Sequence, residues 1–107
     1  MHPRPTAVVA ANDLIAVGAM GAFQSLGLRV PEDVSVVGYD DSQIAQLDQV
    51  QLTSVRQPVD QFGDVAVSLL VQRIDEPGAE RDVQRLETQL VERRTTAVRL
   101  TRGVDRD

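Results

Sequence analysis

The sequence predicts an α/β layered fold, a parallel sheet with flanking helices in the order β-α-β-(α)-β-α-β. Three observations carry this expectation. Short apolar, β-branched runs alternate with longer stretches of helical periodicity. The run Val34–Tyr39 is almost unbroken in apolar character, which suits a parallel strand covered on both faces. The stripe Val59, Phe62, Ala66, Leu69, Leu70 and Ile74 has the 3, 4, 3, 4 spacing of one helix face.

Taken in order, Thr6–Ala11 reads as a buried strand. Asn12-Asp13 ends it, and either side chain can accept a hydrogen bond from the first free N–H groups of a helix. That helix runs from about Asp13 to Leu26. Gly18 and Gly21 lower its propensity, a cost that suits close approach of another backbone. Its apolar residues lie on more than one side, which implies two packing partners. Gly27 is the expected left-handed stop, and Pro31 blocks continuation. The strand Val34–Tyr39 completes a βαβ unit. A short helix over Ser42–Asp48 and a strand over Leu52–Arg56 follow. Pro58 suits the first position of a helix reaching about Asp75. Pro77-Gly78 is a turn. Leu86, Thr88 and Leu90 alternate within Val83–Val91, which predicts a strand with one buried face.

The chain has 107 residues, enough for one small domain. Its net charge is −5, and every basic residue is an arginine. An acidic chain gains little from phosphate counterion release, so DNA binding by this segment is not expected. The arginines gather only near Arg93, Arg94, Arg99, Arg102 and Arg106, which reads as a solvated tail. With no cysteine and one histidine, neither a disulfide framework nor a thiolate or histidine metal site is expected. No apolar run is long enough to span a membrane, and the start lacks the apolar core of a secretory signal. A cytoplasmic location is the simplest expectation.

In layered α/β folds, ligands bind outside the carboxyl ends of parallel strands. Asn12, Asp40 and Gln57 each follow directly on a predicted strand and form one candidate set. Asn12 can be a helix cap, or Asp13 can cap and leave the Asn12 amide for a ligand hydroxyl. Asp40 and Asp41 can be turn formers, or a carboxylate there can accept two hydroxyl hydrogen bonds from a sugar or ribose. Gln57 can simply start a helix. Met20 and Phe23 suit a core or an interface. A receiver- or phosphatase-type magnesium enzyme would need a basic partner for the phosphoryl group, normally lysine, and the chain has none. There is no phosphate-cradling glycine loop, nucleophile elbow or Cys/His pair, so no catalytic residue or cofactor is expected.

The run "AANDLIAVGAMGAFQSLGLRVPEDVSVVGYDDS", followed by "LTSVRQPVDQFGDVAVSLL" and "LVERRTT", resembles the C-terminal part of the effector-binding region of LacI/GalR-family transcriptional regulators. The resemblance spans about Thr6 to Thr96. It implies a partial periplasmic-binding-protein-like (type I) fold, in which a small effector, commonly a sugar or nucleobase, binds between two lobes. It further implies ligand-contact positions at Asn12, Asp40, Gln57 and Val59; some relatives carry an aromatic residue where Val59 stands. Val17, Met20, Gln24 and Leu47 match the family's dimer face, so a homodimer or higher oligomer is expected. Residues 1–41 and 80–97 correspond to the C-terminal lobe, residues 52–77 to a βα unit of the N-terminal lobe, and residues 98–107 to a charged tail. The helix-turn-helix that binds operator DNA in the family and most of the N-terminal lobe have no counterpart here. The resemblance therefore implies a shortened regulator holding half of an effector site, with a solute-binding module of the same fold as the alternative. It also implies that the 52–77 unit must either repack onto the remaining strands or expose its apolar stripe.

Overall fold

A computed structural model describes residues 3–99. The elements follow the expected order. They are β1 (Ala7–Val9), α1 (Asp13–Ser25), β2 (Ser35–Tyr39), α2 (Gln43–Gln46), β3 (Thr53–Arg56), α3 (Val59–Asp75) and β4 (Gln89–Val91). The strands form one sheet in the order β1-β2-β3-β4. β1 and β2 are parallel, with Val8 beside Val36, and β2 and β3 are parallel, with Gly38 beside Ser54.

The chain divides into two compact units. One comprises the described residues up to Arg56 together with those from Leu90 onward; the other is Gln57–Gln89. In the first unit, α1 covers the sheet face that carries Val36, Gly38 and Ser54. Ala10, Ala16, Val36, Ala45 and Leu52 form the core, with Met20, Phe23, Val30 and Val50 packed partly against it. Gly27 takes φ +79° and ends α1 in the left-handed region, as glycine permits. The Leu28 amide then reaches back to the Phe23 carbonyl at 2.9 Å, satisfying one of the helix's last carbonyls.

The expectation of a sheet covered on both faces is corrected. β2 alternates: Val36 and Gly38 are buried, whereas Ser35, Val37 and Tyr39 are only half-buried. On that second face Val9 is 77% exposed. A single helical layer thus closes one side, and the apolar run reflects two faces of which only one is sealed. Gly18 and Gly21 have no atom near the position a Cβ would take, so among the described residues no backbone approaches α1 there. β4 is shorter than expected and Leu90 is 57% exposed, because its alternation meets no covering layer.

After β4 the chain crosses the sheet and stitches β2 to β3. The Thr95 hydroxyl donates to the Val36 carbonyl at 2.7 Å and accepts from the Thr53 amide at 2.9 Å. The Val36 amide donates to the Thr95 carbonyl at 2.8 Å. Thr95 is buried, and replacing its hydroxyl would leave the Thr53 N–H without its partner.

In the second unit, α3 has the predicted amphipathic sequence but no buried residue. Val59, Leu70 and Ile74 are all at least 60% exposed. Of the two outcomes open to residues 52–77, the strand half is seated in the sheet as β3, and the helix half leaves its stripe in solvent.

Candidate functional site

The site lies at the carboxyl end of the parallel strands in the first unit. Register puts Val9 beside Val37 and Tyr39 beside Val55, so the residues after β1 and β2 emerge at one end of the sheet. Asn12 and Asp40 therefore share that edge. Asp40 is exposed and Asn12 is half-buried. Gln57, which follows β3, and Val59, which opens α3, belong to the second unit.

Asn12 is the cap of α1: its Oδ1 accepts from the Ile15 amide at 2.9 Å. This corrects the alternative in which Asp13 caps and Asn12 is released. The Asn12 oxygen is committed, so its contribution to a ligand is the amide N–H2 group, a donor. Asp13 turns inward because better donors await it there. It is 2% exposed. Its Oδ2 accepts from the Ser42 amide at 2.6 Å and the Ser42 hydroxyl at 2.7 Å, and its Oδ1 from the Ser54 hydroxyl at 2.6 Å. Three donors at the positive end of a helix are a physical basis for burying a carboxylate. The Ser42 hydroxyl is thereby withdrawn from capping α2, which has no side-chain cap.

The turn that presents Asp40 is strained. Asp40 and Asp41 take φ values of 110° and 51°, a region that non-glycine residues rarely adopt. The Asp40 amide donates to the Val55 carbonyl at 2.9 Å and the Asp41 amide to the Ser54 hydroxyl at 3.0 Å, which hold the turn to β3.

Asp41 has the opposite fate to Asp40. Its side chain is 1% exposed and meets two cations, Arg56 Nε at Oδ2 and Arg93 Nη1 at Oδ1, both at 2.7 Å. The Arg56 contact is a hydrogen bond. The Arg93 contact is equally close, but its direction falls outside hydrogen-bond geometry at Oδ1. Burial alone would push the Asp41 carboxyl up. The guanidinium groups of Arg93 and Arg56 outweigh it and hold the carboxyl below its ordinary value. Arg93 also donates to the Leu52 carbonyl at 2.8 Å. It is therefore an internal strut, which corrects its assignment to a solvated arginine tail; Arg102 and Arg106 lie outside the described residues.

Sequence reasoning thus found the edge residues but missed the groups beneath them: Asp13, Ser42, Ser54, Arg56 and Arg93. The available signal was chemical. A second carboxylate directly after a strand needs a cation, and two arginines flank β3 and β4. Of the residues matched to a dimer face, Gln24 is exposed, Leu47 is 51% exposed and Val17 is half-buried; Met20 is partly packed on the core. Among the described residues no cluster of three metal-ligating side chains occurs and no helix is long and apolar enough to cross a membrane.

The first unit is a layered α/β sheet with polar side chains displayed at the carboxyl ends of its parallel strands. Residues 1–96 match the model of the periplasmic binding protein-like domain, and the chain belongs to that family. It is similar to the HTH-type transcriptional repressor PurR of Vibrio atlanticus, 41% identical over 95 residues, 89% of this chain and 28% of the repressor. Among solved structures it resembles a complex of the transcriptional regulator CelR with cellobiose (43% identity, TM-score 0.76, 84% of this chain and 28% of the other). It also resembles the Lac repressor dimer bound to operator and the anti-inducer ONPF (40% identity, TM-score 0.77, 88% and 32%). The chain spans less than a third of the length of these relatives, all of them transcription regulators.

Proposed function

We propose that this chain is the C-terminal part of the sensing domain of an effector-responsive transcription regulator and contributes one wall of its effector site. The carrying observation is the strand-end edge with Asn12 as an amide donor and Asp40 as an exposed carboxylate. Together they offer a donor and a carboxylate acceptor, groups that complement hydroxyls on a sugar or ribose. The relatives are transcription regulators, and the cellobiose complex of one of them supports the sugar class. Support for the solute-transport alternative is correspondingly lost, and no catalytic step is assigned.

In the whole regulator, effector binding would shift the balance between DNA-binding and released states through differential affinity for the two. DNA contact is assigned to a helix-turn-helix outside this chain, the location to the cytoplasm, and self-association to Val17, Met20, Gln24 and Leu47. The test is a titration of the isotope-labelled chain with ribose, cellobiose and adenosine, followed by amide shifts and calorimetry. Saturable millimolar binding that perturbs Asn12 and Asp40 and is lost in Asp40→Ala is expected. Micromolar binding by the chain alone would overturn the half-site assignment, and binding indifferent to Asp40→Ala would overturn the site.

A further inference from the structure

The Asp13 carboxylate lies beneath the turn that presents Asp40. It accepts directly from the Ser42 amide and hydroxyl. It also accepts from the Ser54 hydroxyl, whose oxygen in turn accepts from the Asp41 amide. Both backbone N–H groups that follow Asp40 are therefore tied to one buried anion, one directly and one through Ser54. Gly38 makes room for it: a Cβ there would collide with the Asp13 carboxylate and with Leu52. Consecutive left-handed aspartates persist only where their surroundings over-determine the backbone. Here the contacts to the Asp41 and Ser42 amides converge on Asp13, while the Asp40 amide on Val55 and the Asp41 carboxylate on Arg56 and Arg93 hold the turn from β3 and the segment after β4.

We propose that Asp13, acting through Ser42 and Ser54, is a positioning residue for effector binding: it holds the turn 40–42, with its positive φ at Asp40 and Asp41, and so fixes where Asp40 presents its carboxylate. The role of Asp40 in this statement rests on the proposed effector site; the role of Asp13 in holding the turn does not. Asp13→Asn is the informative change, because it keeps the shape but removes the charge and one acceptor oxygen: with the amide oxygen kept on the Ser42 N–H, the N–H2 group faces the Ser54 hydroxyl, which must turn from donor to acceptor.

The experiment uses the isotope-labelled chain, reading three-bond HN–Hα couplings at Asp40 and Asp41, amide exchange at Asp41 and Ser42, and shifts on titration with ribose and adenosine. In Asp13→Asn, exchange at Ser42 should rise about tenfold or more, as expected when a charged hydrogen bond is weakened, and in Ser54→Ala exchange at Asp41 should rise as its hydroxyl acceptor is lost. The couplings at residues 40 and 41 should move toward averaged values while the β2 amides of Val36 and Val37 stay protected. Ser54→Thr, which keeps the hydroxyl, should restore the turn. Unchanged couplings in Asp13→Asn, or equal loosening of β2, would overturn the proposal. If the unaltered chain responds to neither ligand, the effector reading fails while the couplings still judge the turn. If ligand shifts persist at full size in Asp13→Asn over a loosened turn, positioning for binding fails while the effector reading stands.

Discussion

Asp41 and Arg93, separated by more than fifty residues in sequence, meet at 2.7 Å with side chains only 1% and 12% exposed. The pair joins the turn after β2 to the segment after β4. Arg56 adds a second cation from the end of β3, but its side chain is half exposed. Removing one partner of a buried ion pair is costly because the other charge is stranded, whereas an exposed partner is largely replaced by water. Arg93→Ala is therefore expected to lose about 3 kcal/mol of stability. Arg56→Ala is expected to lose about 1 kcal/mol or less. Urea midpoints of the two variants test the ranking, and equal losses would show that burial does not decide it.

Acid should reveal the same cluster. The folded pKa of Asp41 lies below its ordinary value of 3.8, since Arg93 and Arg56 overcome the effect of burial. A depressed carboxyl contributes stability that is fully present above its unfolded pKa and is lost as pH falls through the folded one. The stability gap between the unaltered chain and Asp41→Asn should thus be constant near neutrality and narrow progressively from about pH 4 downward. Urea denaturation across that range measures it; a gap that does not narrow would mean the ion pairs do not set the titration.

Gly38 is the third point of fixation. A methyl group at this position would sit 2.7 Å from Leu52 Cδ2 and inside the Asp13 carboxylate contact. Both neighbours are themselves locked, Leu52 in the core and Asp13 by three donors. Gly38→Ala should then cost about 2–3 kcal/mol as overpacking, and loosen α1 from the sheet. Thermal unfolding together with amide exchange along α1 would show it; a neutral substitution would mean that α1 moves aside freely.

These three positions show what the sequence makes legible and what it conceals. Strand and helix positions follow from local periodicity, and α1, β2 and α3 appear within a residue or two of where it puts them. The edge residues Asn12 and Asp40 follow from the strand ends in turn. The network beneath them does not. Whether Asp13 caps or turns inward depends on Ser42 and Ser54, which are distant in sequence and carry no periodic signal. Arg93 looks like part of a solvated basic tail until the chain's crossing over β2 and β3 brings it to Asp41. The α3 stripe marks an apolar face correctly, but periodicity is silent on whether a partner surface is present to bury it.

That exposed stripe has its own consequence. A contiguous apolar helix face in water promotes self-association. Leu70 and Ile74, 60% and 66% exposed, make little packing to lose. Leu70→Glu with Ile74→Glu should change folding stability by only about 0.5 kcal/mol for each site. Light scattering should show markedly less aggregation. Unchanged scattering would mean that another surface drives association.

The residues assigned to a dimer face make a different prediction. Leu47 is 51% exposed just beyond α2, and Val17 and Gln24 lie on α1. Leu14, Ile15 and Leu26 add further exposed apolar surface on or beside the same helix. A charge placed centrally on a surface of this kind, if it is buried between copies, is left unpaired and weakens association strongly. Leu47→Asp should therefore shift the chain toward monomer in sedimentation velocity, in a background where Leu70→Glu and Ile74→Glu have removed the contribution of α3. Its folding stability should stay within about 0.5 kcal/mol, since the side chain is not part of the core. A dimer that survives Leu47→Asp in that background would remove this face from the assignment.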